Sequence, residues 1–218
     1  MHALSLLVVA ASAVSALSLS IPNGLSDRAL SHRRQLPPRI PTGNIQIIDA
    51  ADVGNFDYTA TLTNAGNVDQ ACVCFKTINA NGQLGFFQGN EEFEFVLTAN
   101  GGAAAIAADA DSLGGCTCGA GSVPLTPFGA FASTFFEFRF ANLERAGWSD
   151  AVASATVAGA AGFDFPGINV CAIGMCSTIN SDGTGSNAYL PGYESEDRLG
   201  LNIAPRPINF DVTIAYAG

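Results

Sequence analysis

The chain has 218 residues, of which 48% are hydrophobic, 13% charged and 9% aromatic, a composition that excludes intrinsic disorder and suits one folded domain. Nine Lys and Arg against nineteen Asp and Glu leave a net charge of -10, which disfavours binding to nucleic acid or to an anionic membrane.

Leu4 to Ala16 form an apolar run that ends in the small residues Val14-Ser15-Ala16. That is the pattern of a secretory signal, and it falls short of the roughly 20 apolar residues that a membrane-spanning helix needs. Residues 1–16 are therefore expected to be a signal peptide. Residues 17–34 read as a propeptide ending in the dibasic site His32-Arg33-Arg34. Residues 35–43 carry Pro37, Pro38 and Pro41, which keep the chain extended as it leads into a single β-domain over 44–218. The expected product is secreted and extracellular, free or associated with the cell wall.

Ile45 to Ile48 is a weak strand candidate, and Phe56 to Thr63 a firm one because apolar and polar residues alternate. Ala71 to Ile78, Glu91 to Leu97, Ala103 to Ala108, Ala132 to Phe140, Ala151 to Val157 and Ile168 to Ala172 follow, and Ile208 to Tyr216 repeats the clear alternation. Gly, Asn and Pro punctuate the intervals, as at Asn81-Gly82 and Asn100-Gly101-Gly102. The alanine-rich runs 103–108 and 151–161 could be helical by propensity alone. Many short strands with frequent turns predict an all-β fold, a disulfide-stapled antiparallel sandwich of roughly eight to ten strands with little helix. Phe136, Phe138 and Phe140 would share one strand face and pack a core, leaving Phe135, Glu137 and Arg139 on the other.

Six cysteines occur as Cys72-Val73-Cys74, Cys116-Thr117-Cys118, and Cys171 with Cys176. An even count in a secreted chain reads as three disulfides. Residues two apart face the same side of a strand, so two adjacent antiparallel segments favour Cys72 to Cys118 and Cys74 to Cys116, with the crossed pairing as the alternative. Cys171 and Cys176 would close a local loop. Metal binding is the weaker reading, because zinc sites usually space cysteines as C-x-x-C.

The only histidines are His2 and His32, and both would leave with the signal and propeptide. Without imidazole, Ser-His-Asp, Cys-His and His-zinc machinery are excluded, and no glycine-rich phosphate loop is present. Paired carboxylates remain. Glu137, between Phe136 and Phe138, has the neighbours most suited to raising a carboxyl pKa, with an ion pair to Arg139 as the plainer outcome. Its partner across a cleft would be Glu196, Asp197 or Asp111. The run Asp109 to Gly115 resembles a calcium turn through Asp109 and Asp111, although Leu113 occupies a ligand position. No cofactor is expected.

Several stretches taken together resemble the Asp f four family of secreted fungal allergens. They are Tyr58-Thr59-Ala60, the turn Asn81 to Gly89, Asp109 to Gly115, Phe136 to Phe140 with Gly147-Trp148-Ser149, Ser186 to Tyr189, and Asn202 to Pro207. The likeness runs from about residue 44 to the end of the chain. It implies a secreted protein of a family that binds human IgE and has no established biochemical activity. Cys171 and Cys176 match the family, whereas the two C-x-C pairs and Arg139 depart from it.

Surface recognition of a cell-wall polysaccharide or a host protein is thus the expected role, by a monomer that binds neither nucleic acid nor membrane. A carboxylate-based carbohydrate-active enzyme or a glycan-binding module is the alternative. The stretch from Asn180 to Pro207 is long and rich in Gly and Pro, as recognition loops are. Trp148, Tyr189, Tyr193, Glu194, Arg198 and Arg206 are the candidate contact residues.

Overall fold

Alternation over Tyr58–Asn64 (β2) and Ile208–Ile214 (β13) gives each strand one apolar face, and the two lie side by side in parallel, Tyr58 opposite Ile208. The computed structural model describes residues 44–218, Glu194 and Asp197 excepted. The expected signal peptide, propeptide and lead-in segment lie outside the described residues.

A seven-stranded sheet runs in the order β1 (Ile45–Ile48), β5 (Ala103–Ala108), β2, β13, β9 (Ile168–Ala172), β10 (Met175–Ile179), β11 (Gly185–Ser186). A six-stranded sheet runs β12 (Leu201–Ile203), β8 (Trp148–Ser154), β7 (Phe135–Asn142), β6 (Ser112–Ala120), β3 (Gln70–Lys76), β4 (Phe93–Leu97). The fold is all-β and sandwich-like. It differs from the expectation in having thirteen strands among the described residues, of which β2 and β13 pair in parallel while the other strand pairs are antiparallel. The parallel pair arises because the chain crosses to the second sheet and back between β2 and β13, so no hairpin need join them.

Alanine propensity loses to context at Ala103–Ala108, which lies between β1 and β2 with Ala105, Ile106 and Ala107 fully buried. Only Thr156–Ala160 in the second alanine run is helical (α1). The Asp109 to Gly115 run is no calcium turn beyond Asp111, since Ser112 begins β6. Gly114 is required there because an added Cβ would meet the Phe75 carbonyl oxygen at 2.2 Å.

The sheets bury one core between them. Phe138 stacks 5.1 Å from Phe136 and 5.0 Å from Phe140, and Phe210 of the opposite sheet packs against Phe136 and Phe140. Each buried Phe contributes about 1.5–3 kcal/mol. Cys72–Cys118 and Cys74–Cys116 join directly opposed residues of β3 and β6 inside this core, with Cα atoms 4.1 Å apart, and Cys171–Cys176 spans the β9–β10 hairpin. On the other side of the six-stranded sheet, Val73, Phe75, Phe131 and Phe135 form a second cluster with Phe86, Leu125 and Val157. Loop residues and α1 thus cover one end of that outer face, and the other end is left for polar side chains.

Candidate functional site

The uncovered end is built by strand register. Phe135, Glu137 and Arg139 point outward from β7, since their neighbours Phe136, Phe138 and Phe140 fill the core. Arg139 lies opposite Leu113 on β6 and Asp150 on β8, and Asp150 lies opposite Asn202 on β12. One cross-strand row therefore carries Asn202, Asp150 and Arg139. Glu137 stands one step along, between Gly115 and Val152.

A short turn at Leu143–Arg145 folds back over this row. Asn142 fixes it, its side-chain oxygen accepting from the Glu144 and Arg145 amides. Arg145 then donates from Nη1 to both oxygens of Asp150 at 2.9 Å and from Nη2 to Asn202 Oδ1 at 2.8 Å. Arg139 turns the other way, with Nη2 3.1 Å from Asp111 Oδ1 and 3.7 Å from Glu144 Oε2. Its ion pairs are thus with Asp111 and Glu144.

Glu137 is half-buried, and desolvation pushes its carboxyl up to about 6, opposed in part by a hydrogen bond from Ser154. Ser154 and Thr156 share a further hydroxyl contact at 3.2 Å. Asp150 is also raised, by burial that outweighs the attraction of Arg145 and Arg139. The two carboxyls with raised pKa are diagonal neighbours on adjacent strands, a relation that separates Cα atoms by roughly 7–8 Å.

Of the residues singled out in the sequence, the fold links Glu137, Arg139 and Asp111 on one surface. Glu196 is exposed in the 191–200 turn, where its amide donates to the Tyr193 carbonyl. Asp197 and Glu194 lie outside the described residues. Asp109 takes part through its backbone, its amide donating to the Asn44 carbonyl, and among the described residues no cluster of three His, Cys, Asp or Glu could hold a metal. Trp148, Tyr193, Arg198 and Arg206 are exposed. Tyr189 is not: it is 8% exposed. Its amide donates to Ala153 and its carbonyl accepts from Ala155, which stitches residues 187–189 under the end of β8. Arg145, Asp150 and Ser154 carry no local signal of a site in the sequence, and Asn202 stands out there only as part of the stretch Asn202 to Pro207. Asp150 alternates correctly within Trp148–Ser154, but only the register shows what it faces.

The family model for the Allergen Asp f 4-like domain matches residues 43–214. The chain belongs to this family. No curated protein matches the sequence. Among solved structures, the thaumatin-like xylanase inhibitor TLXI is similar with a TM-score of 0.40 and 12% identity, covering 71% of this chain and 97% of that one.

In this Asp f 4-like domain two ion-paired units stand on the outer face, Arg145 with Asp150 and Arg139 with Asp111 and Glu144, and Glu137 belongs to neither. Each of these carboxylates is already bound to a guanidinium, which fixes its orientation and engages its oxygens. All six cysteines are in disulfides, so no thiol nucleophile is present.

Proposed function

We propose that this domain is a secreted recognition protein without catalytic activity, exposed at the fungal wall or to a host, where it is bound by IgE as its family name implies. The observation that carries the reading is the engagement of Asp150 by Arg145 through both carboxylate oxygens. A glycoside hydrolase needs a second carboxylate free to attack or to activate water beside the acid. Here the nearest raised carboxyl to Glu137 is occupied. Three disulfides support an oxidising, extracellular setting. Trp148, Tyr193, Arg198 and Arg206 are the exposed side chains offered for contact.

A second reading keeps one favourable observation: Glu137, at about 6, has the pKa of a general acid and stands diagonal to Asp150. One experiment separates the two. The folded secreted protein is incubated with cell-wall polysaccharides and tested for IgE capture from sensitised sera. Recognition predicts IgE capture that depends on intact disulfides, with no release of reducing ends. Release that vanishes in Glu137→Gln would establish the enzyme instead.

A further inference from the structure

Where β1, β3 and β6 meet, Asn44, Lys76, Thr77, Ile78, Asp111 and Leu113 line an open groove of about 290 Å³. We propose that this groove binds one residue of a neutral glycan, an assignment that rests on the recognition reading above and names its ligand class.

The charges in the wall already have partners. Lys76 Nζ lies 3.5 Å from Glu92 Oε1, and Asp111 Oδ1 lies 3.1 Å from Arg139 Nη2. A phosphate or carboxylate ligand would have to displace Glu92 or meet Asp111, and a cationic one would compete with Arg139. A hydroxyl-bearing neutral ligand does neither, because a paired carboxylate keeps further lone pairs for O–H donors.

Asn44 supplies the second observation. Its backbone carbonyl is held by the Asp109 amide at 2.9 Å and the Ser112 hydroxyl at 3.3 Å, so the residue is fixed in the wall. Yet its side-chain oxygen is buried and makes no hydrogen bond among the described residues. An unmet buried acceptor is destabilising, and a small turn of the amide toward a ligand hydroxyl satisfies it. Ile78, 52% exposed, and Leu113 give the apolar flank that a sugar ring's C–H face needs. The volume is near the lower limit of small-molecule clefts, roughly 300–1,000 Å³, which suits a single ring with the remaining oligosaccharide in solvent.

The test titrates cellohexaose, laminarihexaose and mannohexaose separately into the isotope-labelled secreted protein and follows amide shifts by NMR. At least one hexaose is expected to shift Asn44, Thr77, Ile78 and Leu113 together. Asn44→Ala should weaken binding about tenfold. Ile78→Ala, at an exposed position that does not threaten folding, should weaken it severalfold, and a heparin fragment should leave these amides unmoved. Shifts confined to Trp148 and abolished by Trp148→Ala would overturn the groove while leaving recognition intact. Contacts between Ile78 and residues 35–43 in the free protein would overturn it too, since the chain itself would then be the occupant. Absence of binding by all three sugars at millimolar concentration would also overturn it, independently of the outcome with IgE.

Discussion

Asp111 holds Arg139 across the β6–β7 ladder, its Oδ1 3.1 Å from the guanidinium, and the same oxygen accepts the Leu143 amide at 3.2 Å. That carboxylate is thus committed to anchoring the turn that carries Arg145, and through it the whole outer-face network. A calcium ion would need six to eight oxygen ligands. Saturating calcium should therefore shift Tm by less than about 1 °C, since only a ligand that binds the native state raises it. Asp111→Asn should cost about 1 kcal/mol in urea unfolding, the scale of a partly exposed charge-assisted pair. A large calcium-dependent rise in Tm would contradict the assignment of Asp111 to Arg139.

The three disulfides differ in access. Cys72, Cys74, Cys116 and Cys118 are at most 2% exposed, whereas Cys176 is exposed on its hairpin. Reduction needs a thiolate to reach sulfur. Mild dithiol treatment of the native protein, followed by alkylation and mass spectrometry, should label Cys171 and Cys176 first and leave the C-x-C pairs intact until unfolding. Loop lengths order the stabilities as well. Sequence separations of 46 and 42 against 5 give about 4 kcal/mol for the first core bond to close and about 2 kcal/mol for the hairpin bond by chain entropy, the second core bond adding less because the first already closes nearly all of its loop. Equal labelling of all six cysteines in the folded state would refute this order.

Gly114 sits opposite Lys76 with no room for a side chain, because a Cβ would fall 2.2 Å from the Phe75 backbone oxygen. Backbone on backbone cannot relax as a flexible side chain can. Gly114→Ala should push β6 away from β3, straining the neighbouring Cys74–Cys116 bond, and cost more than about 3 kcal/mol. Gly121→Ala is the contrasting case: nothing lies within 4 Å, but a φ of +72° makes the loss conformational, roughly 1 kcal/mol. If the two variants unfold at the same urea concentration, the close approach of β6 to β3 is not what Gly114 serves.

Period-two alternation made β2, β13 and the Phe136 to Phe140 face legible, because a half-buried strand writes its burial directly into sequence. The C-x-C spacing likewise carried its own geometry. What stayed hidden depends on register. Ser112–Ala120 holds three glycines and no apolar alternation, so outside its C-x-C pair nothing local marks a strand, and only the pairing with β3 and β7 on either side defines it. The sequence points Arg139 toward Glu137, two residues away on its own strand, because nothing local reveals that Asp111 reaches it from just before β6. Tyr189 looked exposed among polar and glycine neighbours, yet tertiary hydrogen bonds draw it beneath β8.

Glu137 offers the sharpest pH test. Burial raises its pKa from 4.5 to about 6, so the folded state holds the proton more tightly than the unfolded chain does. Below pH 4.5 both states are protonated and the group costs nothing. As pH rises from 4.5 through 6 the unfolded chain ionises first, and above 6 the native state carries the full penalty, about 2 kcal/mol. Glu137→Gln keeps the shape and cannot ionise. Relative to wild type it should therefore gain about 2 kcal/mol of stability between pH 4 and pH 7, measured by urea unfolding at both. Asp150 is shifted in the same direction but is present in both proteins, so the comparison isolates Glu137. A stability difference that stays flat with pH would mean that Glu137 is solvated like an ordinary surface carboxylate, and would remove the one group that favours the hydrolase reading.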